Sequence, residues 1–240
     1  MILLYHLHSC VAAMAATPVS VHETHRDQKM PLGARLQKLH RVIGAAHRDA
    51  EGMVFSKALL EGSASPQQIA ALIRSLLPIY TAMEALIEQL PDPLKTSGIP
   101  WHALSRHRAL KEDVAALAAL EASPASIDEL ANELIACLTN LAETAPERFL
   151  AHVYVRYGGD LSGGQQLAQQ ANSILSKAGL PELQFWSFPR PIAELKQQLH
   201  DGIELLPLMH NEETNLLEEA PAGFRLNQRL LKALAEIKAA

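Results

Sequence analysis

Hydrophobic residues recur at the spacing of a helix along almost the whole chain after Met30. Residues three or four apart lie on one helical face, so each such stripe predicts an amphipathic helix. The clearest stripes are Leu32, Leu36, Leu39, Val42, Ile43 and Ala46, then Ile69, Leu72, Ile73, Leu76 and Leu77, and then Leu130, Leu134, Ile135, Leu138 and Leu141. No segment alternates apolar and polar residues with the period of two that a half-buried strand shows. The pattern predicts an all-α fold.

Prolines and glycines divide this pattern into elements. Proline suits the first turn of a helix, where its missing N–H costs little, and glycine suits the residue after the last turn. Prolines stand near the predicted starts at Pro31, Pro66, Pro124, Pro146 and Pro191, and glycines near predicted ends at Gly62, Gly98 and Gly179. The predicted helices span residues 33–50, 52–61, 66–90, 101–121, 126–143, 146–178, 190–210 and 213–238. Pro78 lies inside one of them and predicts a kink.

The connections between these helices are short, and no linker divides the pattern. We therefore expect one multi-helix domain over residues 31–240, preceded by an extension, residues 1–30, that lies outside the fold. Within the extension, Met1–Ala16 is apolar but lacks a basic start, so a signal peptide is the less favoured interpretation. Four histidines there could bind a metal, although loose histidines in a tail are the commoner case. They are His6, His8, His22 and His25.

Composition narrows the class of protein. Of the 240 residues, 48% are hydrophobic and 20% are charged, which is typical of a globular chain. Its net charge of −5 makes it a poor general binder of nucleic acid. No apolar stretch approaches the roughly 20 residues of a membrane helix, so we expect no membrane anchor. Cys10 and Cys137 are too few for a disulfide framework or a cysteine-rich zinc site, which favours a reducing compartment and a cytoplasmic protein.

The first candidate for chemistry is a run of four glycines within residues 154–165. Each glycine inside a helix costs roughly 0.5–1 kcal/mol relative to alanine, so a compensating contact is expected. Gly159 and Gly163 are four residues apart and share one face, which would let a flat ligand or another backbone approach closely. A tight helix crossing is the structural alternative. A phosphate-binding loop is excluded because no Gly-Lys-Ser/Thr follows and no strand precedes the run.

The second candidate is a histidine and a carboxylate on the first predicted helix. His47 and Glu51 are spaced i, i+4 and are therefore neighbours in space. A histidine that binds a metal commonly donates its second ring N–H to a carboxylate or a carbonyl. A lone histidine near an apolar stripe is, by itself, more often structural than a ligand.

Together, residues 46–55 and 156–165 resemble the proximal and distal helices of the haem oxygenase family. Between them, residues 79–84 (Ile-Tyr-Thr-Ala-Met-Glu) resemble the family's Tyr-x-x-x-Glu helix, and residues 101–113 its Leu-x-Arg-x-x-x-Leu-x-x-Asp segment. Residues 185–189 resemble its aromatic-proline turn. The matches occur in the family's order from about residue 32 to 234. The Gly-Asp-Leu-Ser-Gly-Gly run is the most specific of them.

The resemblance implies a haem lying between two helices. His47 would be the axial iron ligand, with Glu51 steadying its imidazole. Gly159 and Gly163 would pass over the opposite haem face.

On that distal face, the resemblance implies that Asp160 and Tyr80 hold a water network beside the bound O2. An aspartate that acts through water can deliver a proton without forcing scission of the O–O bond. Phe224 and Asn227 would close the pocket from the last helix.

The resemblance also implies contacts to the two haem propionates. Tyr154 and Lys196 match two of the family's propionate-binding positions. His40 stands where a lysine is common, and His200 where an arginine is common. Both histidines are largely neutral at pH 7, and imidazole lacks the bidentate fork of arginine.

The implied activity is O2-dependent cleavage of haem to biliverdin, CO and Fe²⁺ by a soluble, bacterial-type monomer. The sequence carries no flavin or nicotinamide fingerprint, so electrons would come from a redox partner such as a ferredoxin or a flavoprotein reductase. A non-catalytic haem-binding or trafficking protein of the same fold is the main alternative. A thiaminase-like hydrolase would need a pocket cysteine, whereas Cys137 lies in a leucine-rich stripe. A di-iron site would need a Glu-x-x-His pair, which the helices lack.

Overall fold

The structure is a computed structural model and describes residues 32–237. Within that range it contains ten α-helices and no strand, so the all-α prediction is confirmed. The helices are α1 (Ala34–Glu51), α2 (Val54–Leu60), α3 (Pro66–Glu88), α4 (Asp92–Lys95), α5 (Trp101–Leu104), α6 (His107–Ala116), α7 (Ala125–Thr144), α8 (Pro146–Lys177), α9 (Ile192–Glu204) and α10 (His210–Ala235). The predicted extension, its histidines and the possible signal peptide lie outside the described residues.

The longest helices form the core. Helix α8 packs against α10, α7 and α9, while α3 packs against α6 and α7. Helix α3 is also the one element of the described range that is long and apolar enough to cross a membrane by length and composition. Half of its most apolar window is buried inside the protein. Its stripe, which includes Ile69, Ile73 and Leu76, is therefore a core face of the fold.

The glycine predictions are confirmed after α2 and α8, where Gly62 and Gly179 follow the last turn, whereas Gly98 lies three residues beyond the short helix α4. Gly62, Gly98 and Gly179 have φ angles of 73°, 94° and 71°, a left-handed conformation that favours glycine. Ser65 caps the start of helix α3, because its hydroxyl accepts from the N–H of Gln68 in a reciprocal capping box. The helix then continues through Pro78.

One predicted helix, 101–121, is wrong as a single element. The structure has the short helix α5, a turn at Ser105–Arg106, and α6, which ends at Ala116. The Glu84 carboxylate of α3 sets the turn, because it accepts from the Ser105 hydroxyl at 2.5 Å and from the Arg106 N–H at 2.6 Å. Beyond α6, the Arg74 guanidinium donates to the carbonyls of residues 117 and 120, which satisfies groups that a longer helix would have used.

The predicted helix 190–210 is also too long. Helix α9 ends at Glu204 because the buried Arg35 guanidinium donates to the carbonyls of Ile203, Glu204 and Leu206 at 2.7–3.0 Å. In return, the Glu204 carboxylate accepts from the first N–H groups of α1, at Arg35 and Leu36. Helix α10 begins at His210, three residues earlier than predicted, with Glu212 accepting from the N–H of Met209 at 2.7 Å. Helix α4 was not predicted.

Candidate functional site

A small cavity of about 40 Å³ lies between α2, α3, α8 and α10, large enough for a few water molecules. Its walls are mainly apolar, and a few polar side chains enter it from α2, α3, α8 and α10. These polar groups are Ser56, Tyr80, Arg156, Asp160 and Asn227. Phe224 and Trp186 also line it.

By helical spacing, Gly163 lies beside the face of helix α8 that borders this cavity. Arg156, Asp160 and Leu167 line the cavity, and Gly163 falls between the last two at i+3 and i+4 spacing on the same face. Gly159 is one turn before Gly163. The helix runs unbroken through all four glycines from Pro146 to Lys177. One glycine's packing role is direct, since a Cβ on Gly164 would lie 2.6 Å from Cδ1 of Trp186.

Asp160 is the charged group at the centre of the site. It is 1% exposed, and the Tyr80 hydroxyl donates a hydrogen bond to its Oδ2. Its other oxygen, Oδ1, is buried and has no hydrogen-bond partner within the described part of the chain. Burial raises the pKa of the Asp160 carboxyl, although the Tyr80 hydrogen bond acts in the opposite direction. Burial likewise raises the pKa of the Tyr80 phenol, so this group stays protonated as a donor.

A second hydrogen-bonded pair, Arg156 and Asn227, lies beside the Tyr80–Asp160 pair. The Arg156 guanidinium donates to Oδ1 of Asn227, and the amide of Asn227 donates to the carbonyl of Gly223 at 2.6 Å. The Arg156 guanidinium carbon also lies 5.5 Å from the centre of the Tyr80 ring.

Glu84 and Tyr157 form a layer behind Tyr80, and neither residue was predicted to have a role in the site. The Tyr157 ring contacts the Tyr80 ring edge to face, with centroids 5.8 Å apart, and its hydroxyl donates to Glu84 at 3.4 Å. Both residues border an outward-facing groove of about 320 Å³. The Tyr-x-x-x-Glu spacing places Glu84 one helical turn after Tyr80, and this spacing is the sequence feature that could have identified Glu84 as a neighbour of the site.

His47 lies on α1, and its Nδ1 is 3.5 Å from Oε1 of Glu51. Its ring packs edge to face on Phe224 of α10 at 5.7 Å between centroids. Burial lowers the pKa of His47, although the Glu51 carboxylate acts in the opposite direction. The ring is therefore neutral at pH 7, which a metal ligand requires. With Nδ1 facing Glu51, Nε2 is the ring nitrogen suited to bind iron.

Helices α1 and α8 are held by common neighbours. Both pack against α9 and α10, and in the described range direct packing between α1 and α8 is slight. At one end the two helices are linked by a 2.8 Å hydrogen bond between Nε2 of His40 and the hydroxyl of Tyr154. A flat molecule bound between them would meet the His47 imidazole on one side and the glycine face of α8 on the other.

The four residues assigned to the propionates come from α1, α8 and α9. The ring of His200 lies 5.9 Å from that of His40 and 6.2 Å from that of Tyr154, between centroids. Burial, followed by the Lys196 charge, lowers the pKa of His40 and lowers that of His200 to about 4. The structure thus brings these four residues together, while their role toward a ligand stays a prediction.

Cys137, the cysteine on which a hydrolase would depend, is half-buried on α7. Burial raises the pKa of its thiol, and the Glu219 and Glu133 charges raise it further. A catalytic thiol needs the opposite shift, because the thiolate is the nucleophile.

Comparison with known proteins agrees with this geometry. The family model described as "Heme oxygenase" matches residues 34–233. The chain is 32% identical over 219 residues to "Heme oxygenase 2" of Synechocystis sp., covering 85% of this chain and 84% of that protein. It is 29% identical over 215 residues to "Heme oxygenase 1" of Bos taurus, covering 87% and 73%.

Solved structures show the same similarity. Heme oxygenase from Leptospira interrogans superposes with a TM-score of 0.73 at 27% identity, over 83% of this chain and 99% of that one. Heme oxygenase-2 from Synechocystis sp. PCC 6803, solved with heme and NO, superposes with a TM-score of 0.72 at 29% identity, over 84% and 85%.

Proposed function

The chain belongs to the haem oxygenase family, and from that premise we propose that it cleaves haem with O2 at a meso carbon to give biliverdin, CO and Fe²⁺. Haem supplies both the iron that activates O2 and the carbon skeleton that is cleaved. The protein's own residues bind the haem, orient it and control protons.

On the proximal side, His47 is the proposed axial ligand. Its neutral imidazole can present Nε2 to the iron, while Nδ1 faces the Glu51 carboxylate. A carboxylate that accepts from the second ring nitrogen fixes the tautomer and the orientation of the ring. Phe224 packs edge to face on the same imidazole and limits its rotation.

On the distal side, the observation that carries the proposal is the unpartnered Oδ1 of Asp160. A buried carboxylate oxygen without a hydrogen bond is costly, and such atoms in native proteins indicate a water or ligand at that point. The atom belongs to a cavity-lining residue on the glycine face of α8. Oδ1 is therefore suited to hold a water beside bound O2 and to pass a proton to it.

Tyr80 keeps that carboxylate in place. Its hydroxyl donates to Oδ2, which leaves Oδ1 as the oxygen that faces the water. Burial raises the pKa of Asp160 and so brings its proton affinity closer to that of a useful acid near pH 7. Gly159 and Gly163 add no side chain to this face, so no second acid approaches the oxygen directly.

At the pocket mouth, the proposed propionate contacts are Tyr154, Lys196, His40 and His200. Lys196 and His200 are one turn apart on α9, and His40 reaches Tyr154 from α1. An ammonium group and several N–H and O–H donors suit two carboxylates.

Electrons would come from an external donor, either a ferredoxin or a flavoprotein reductase. The proximal helix α1 carries exposed Arg48 next to His47 and exposed Arg41 next to His40, and Lys196 of α9 acts on His40. On a chain with a net charge of −5, this positive edge suits an acidic redox partner. Reversing Arg48 to Glu should slow reduction by such a partner at low salt, whereas dithionite reduction should be unchanged.

The proposal is tested by single-turnover oxidation of bound haem, with the product identified by chromatography. The wild-type chain should release biliverdin. His47→Ala should lose the axial nitrogen, with a changed Soret spectrum and at least a tenfold loss of product, whereas His210→Ala, on an exposed histidine, should change neither. Asp160→Ala should bind haem but yield little biliverdin. A stable ferrous complex of the wild-type chain that forms no biliverdin would instead favour the haem-binding alternative.

We also propose that the chain is a cytoplasmic monomer, in line with its few cysteines. Light scattering on the purified protein tests the oligomeric state, and a mass of one chain of 26.2 kDa is expected.

A further inference from the structure

A cluster of three rings, one from each of three helices, lies where α1, α8 and α9 meet, at the place proposed above for the haem propionates. His40 of α1, Tyr154 of α8 and His200 of α9 lie with ring centroids 5.9–6.4 Å apart. The 2.8 Å bond between His40 Nε2 and the Tyr154 hydroxyl ties two of the three together. Tyr154 and His200 are 4% and 8% exposed, so solvent reaches this side of the cluster poorly.

The cluster has little charge of its own in the haem-free protein. Burial and the Lys196 ammonium both lower the pKa of each histidine, so both rings are neutral at pH 7. Two haem propionates would bring two negative charges to this point. A neutral imidazole offers each of them one N–H, whereas an imidazolium offers two N–H donors and a full charge.

We propose that haem binding to this chain takes up protons at His40 and His200, so that histidine cations formed on binding hold the propionates. The inference rests on the proposed function to the extent that haem is the ligand. A lysine and arginine pair would carry its charge before haem arrived and would take up no proton. The two histidines thus make haem capture depend on pH, with tighter binding in more acidic conditions.

The direction of the pH dependence follows from the thermodynamic linkage between proton binding and haem binding. A group that is neutral in the free protein and protonated in the complex makes affinity rise as pH falls through the interval between its free and bound pKa values. In the protein without haem, the pKa values of His40 and His200 lie below 6.5, and that of His200 is about 4. A carboxylate bound beside the rings raises both pKa values. Each proton taken up makes affinity rise about tenfold per pH unit inside that interval.

Other groups act on the pair. On α9, Lys196 opposes protonation of both rings, while the Asp201 carboxylate favours protonation of His200. On α1, His47 weakly opposes protonation of His40. Helix α8 contributes the Tyr154 phenol. Helix α10 faces this end of α1 with the Glu213 carboxylate, which pairs with Arg35 and Lys38, while its Phe224 ring contacts His47 further along α1. A protonated His40 also opposes protonation of His200, whose ring centroid is 5.9 Å away. The two propionate charges therefore act against this repulsion as well as against the Lys196 ammonium, and the proposal requires that they outweigh both.

The experiment compares haemin with haemin dimethyl ester, whose propionates are esterified. Dissociation constants are measured by absorbance from pH 6.0 to 8.5, a range in which free carboxyls stay ionised. Proton uptake is measured independently by calorimetry in buffers of different ionisation enthalpy. Any contribution from His47 is common to both ligands and cancels in the comparison.

For wild-type protein, haemin affinity should rise at least tenfold more than ester affinity between pH 8.5 and 6.0, with net proton uptake. In His40→Gln with His200→Gln, that excess should disappear. In His40→Lys with His200→Arg, haemin should bind tightly at pH 8.5 with little pH dependence. His210→Gln, on an exposed histidine, is the matched control and should behave as wild type.

Two results would overturn the inference. Haemin and its ester could show the same pH dependence, or the double Gln variant could keep the wild-type excess. Because the ester comparison needs no mutation, it decides the matter even where a variant folds poorly. Failure of the proposed function appears separately, as haem that binds with proton uptake but is not cleaved, or as no haem binding at all.

Discussion

The contact between Gly164 and Trp186 makes a sharp prediction about α8. A Cβ built on Gly164 would lie 2.6 Å from Cδ1 and 3.3 Å from Nε1 of Trp186, closer than side chains tolerate. The indole is 2% exposed and packs on the Phe185 ring at 5.0 Å between centroids, so its movement away from α8 is restricted on that side, while another side borders the small cavity. Gly164→Ala should therefore strain the interface between α8 and the turn before α9.

The magnitude follows from two opposing effects. Replacing glycine by alanine inside a helix stabilises it by about 0.8–1 kcal/mol, and overpacking a well-filled core costs about 1–3 kcal/mol. Gly164→Ala should thus change stability by between nothing and a loss of about 2 kcal/mol. Gly158→Ala on the same helix is the matched control, since its Cβ would meet only the Tyr154 ring at 3.9 Å. That variant should gain up to about 1 kcal/mol.

Urea and thermal unfolding of the haem-free protein measure the difference. The two variants should differ by about 1–3 kcal/mol, which for a chain of this size corresponds to roughly 2–12 °C in Tm, with Gly164→Ala the lower. Trp186 is one of two tryptophans, so its fluorescence should shift in Gly164→Ala and not in Gly158→Ala. Equal stability of the two variants would show that the indole yields freely and that the packing argument is wrong.

Three further predictions concern buried polar groups. Because burial raises the pKa of Asp160, ionisation of this carboxyl destabilises the folded state. The stability of Asp160→Asn relative to wild type should therefore increase as pH rises from about 4. A difference in urea unfolding that does not change with pH would contradict this prediction. The Asp113 carboxylate accepts two backbone N–H bonds of 2.7 and 2.8 Å, so Asp113→Asn should cost about 1–3 kcal/mol in thermal unfolding. The matched control Glu112→Gln, at an exposed neighbouring carboxylate, should lower stability by under about 1 kcal/mol. Equal losses in the two variants would show that the backbone hydrogen bonds of Asp113 add no stability. Arg35→Lys should cost about 1–3 kcal/mol because one ammonium cannot replace both Nη1, which donates to three carbonyls, and Nε, which donates to Glu213. Lys38→Ala should cost under about 1 kcal/mol, and the reverse order of the two losses would contradict this reasoning.

The sequence predicted the elements better than their ends. The helical period located the long helices because it is a local property that a short window records. The ends at Ala116 and Glu204 were missed because distant side chains define them, Arg74 of α3 in one case and Arg35 of α1 in the other. Nothing in the local sequence marks a carbonyl that will be satisfied from another helix.

The candidate site divides in the same way. By itself, the sequence determined the all-α class, the glycine face of α8 and the neighbouring positions of His47 and Glu51, since helical geometry fixes residues three or four apart. Tertiary structure alone decided that Tyr80 meets Asp160 across 80 positions, and that His40, Tyr154 and His200 converge from three helices. Such partnerships depend on which helix faces pack together. Burial then sets the charge of each group, because the cost of removing an ionised side chain from water exists only once the chain has folded.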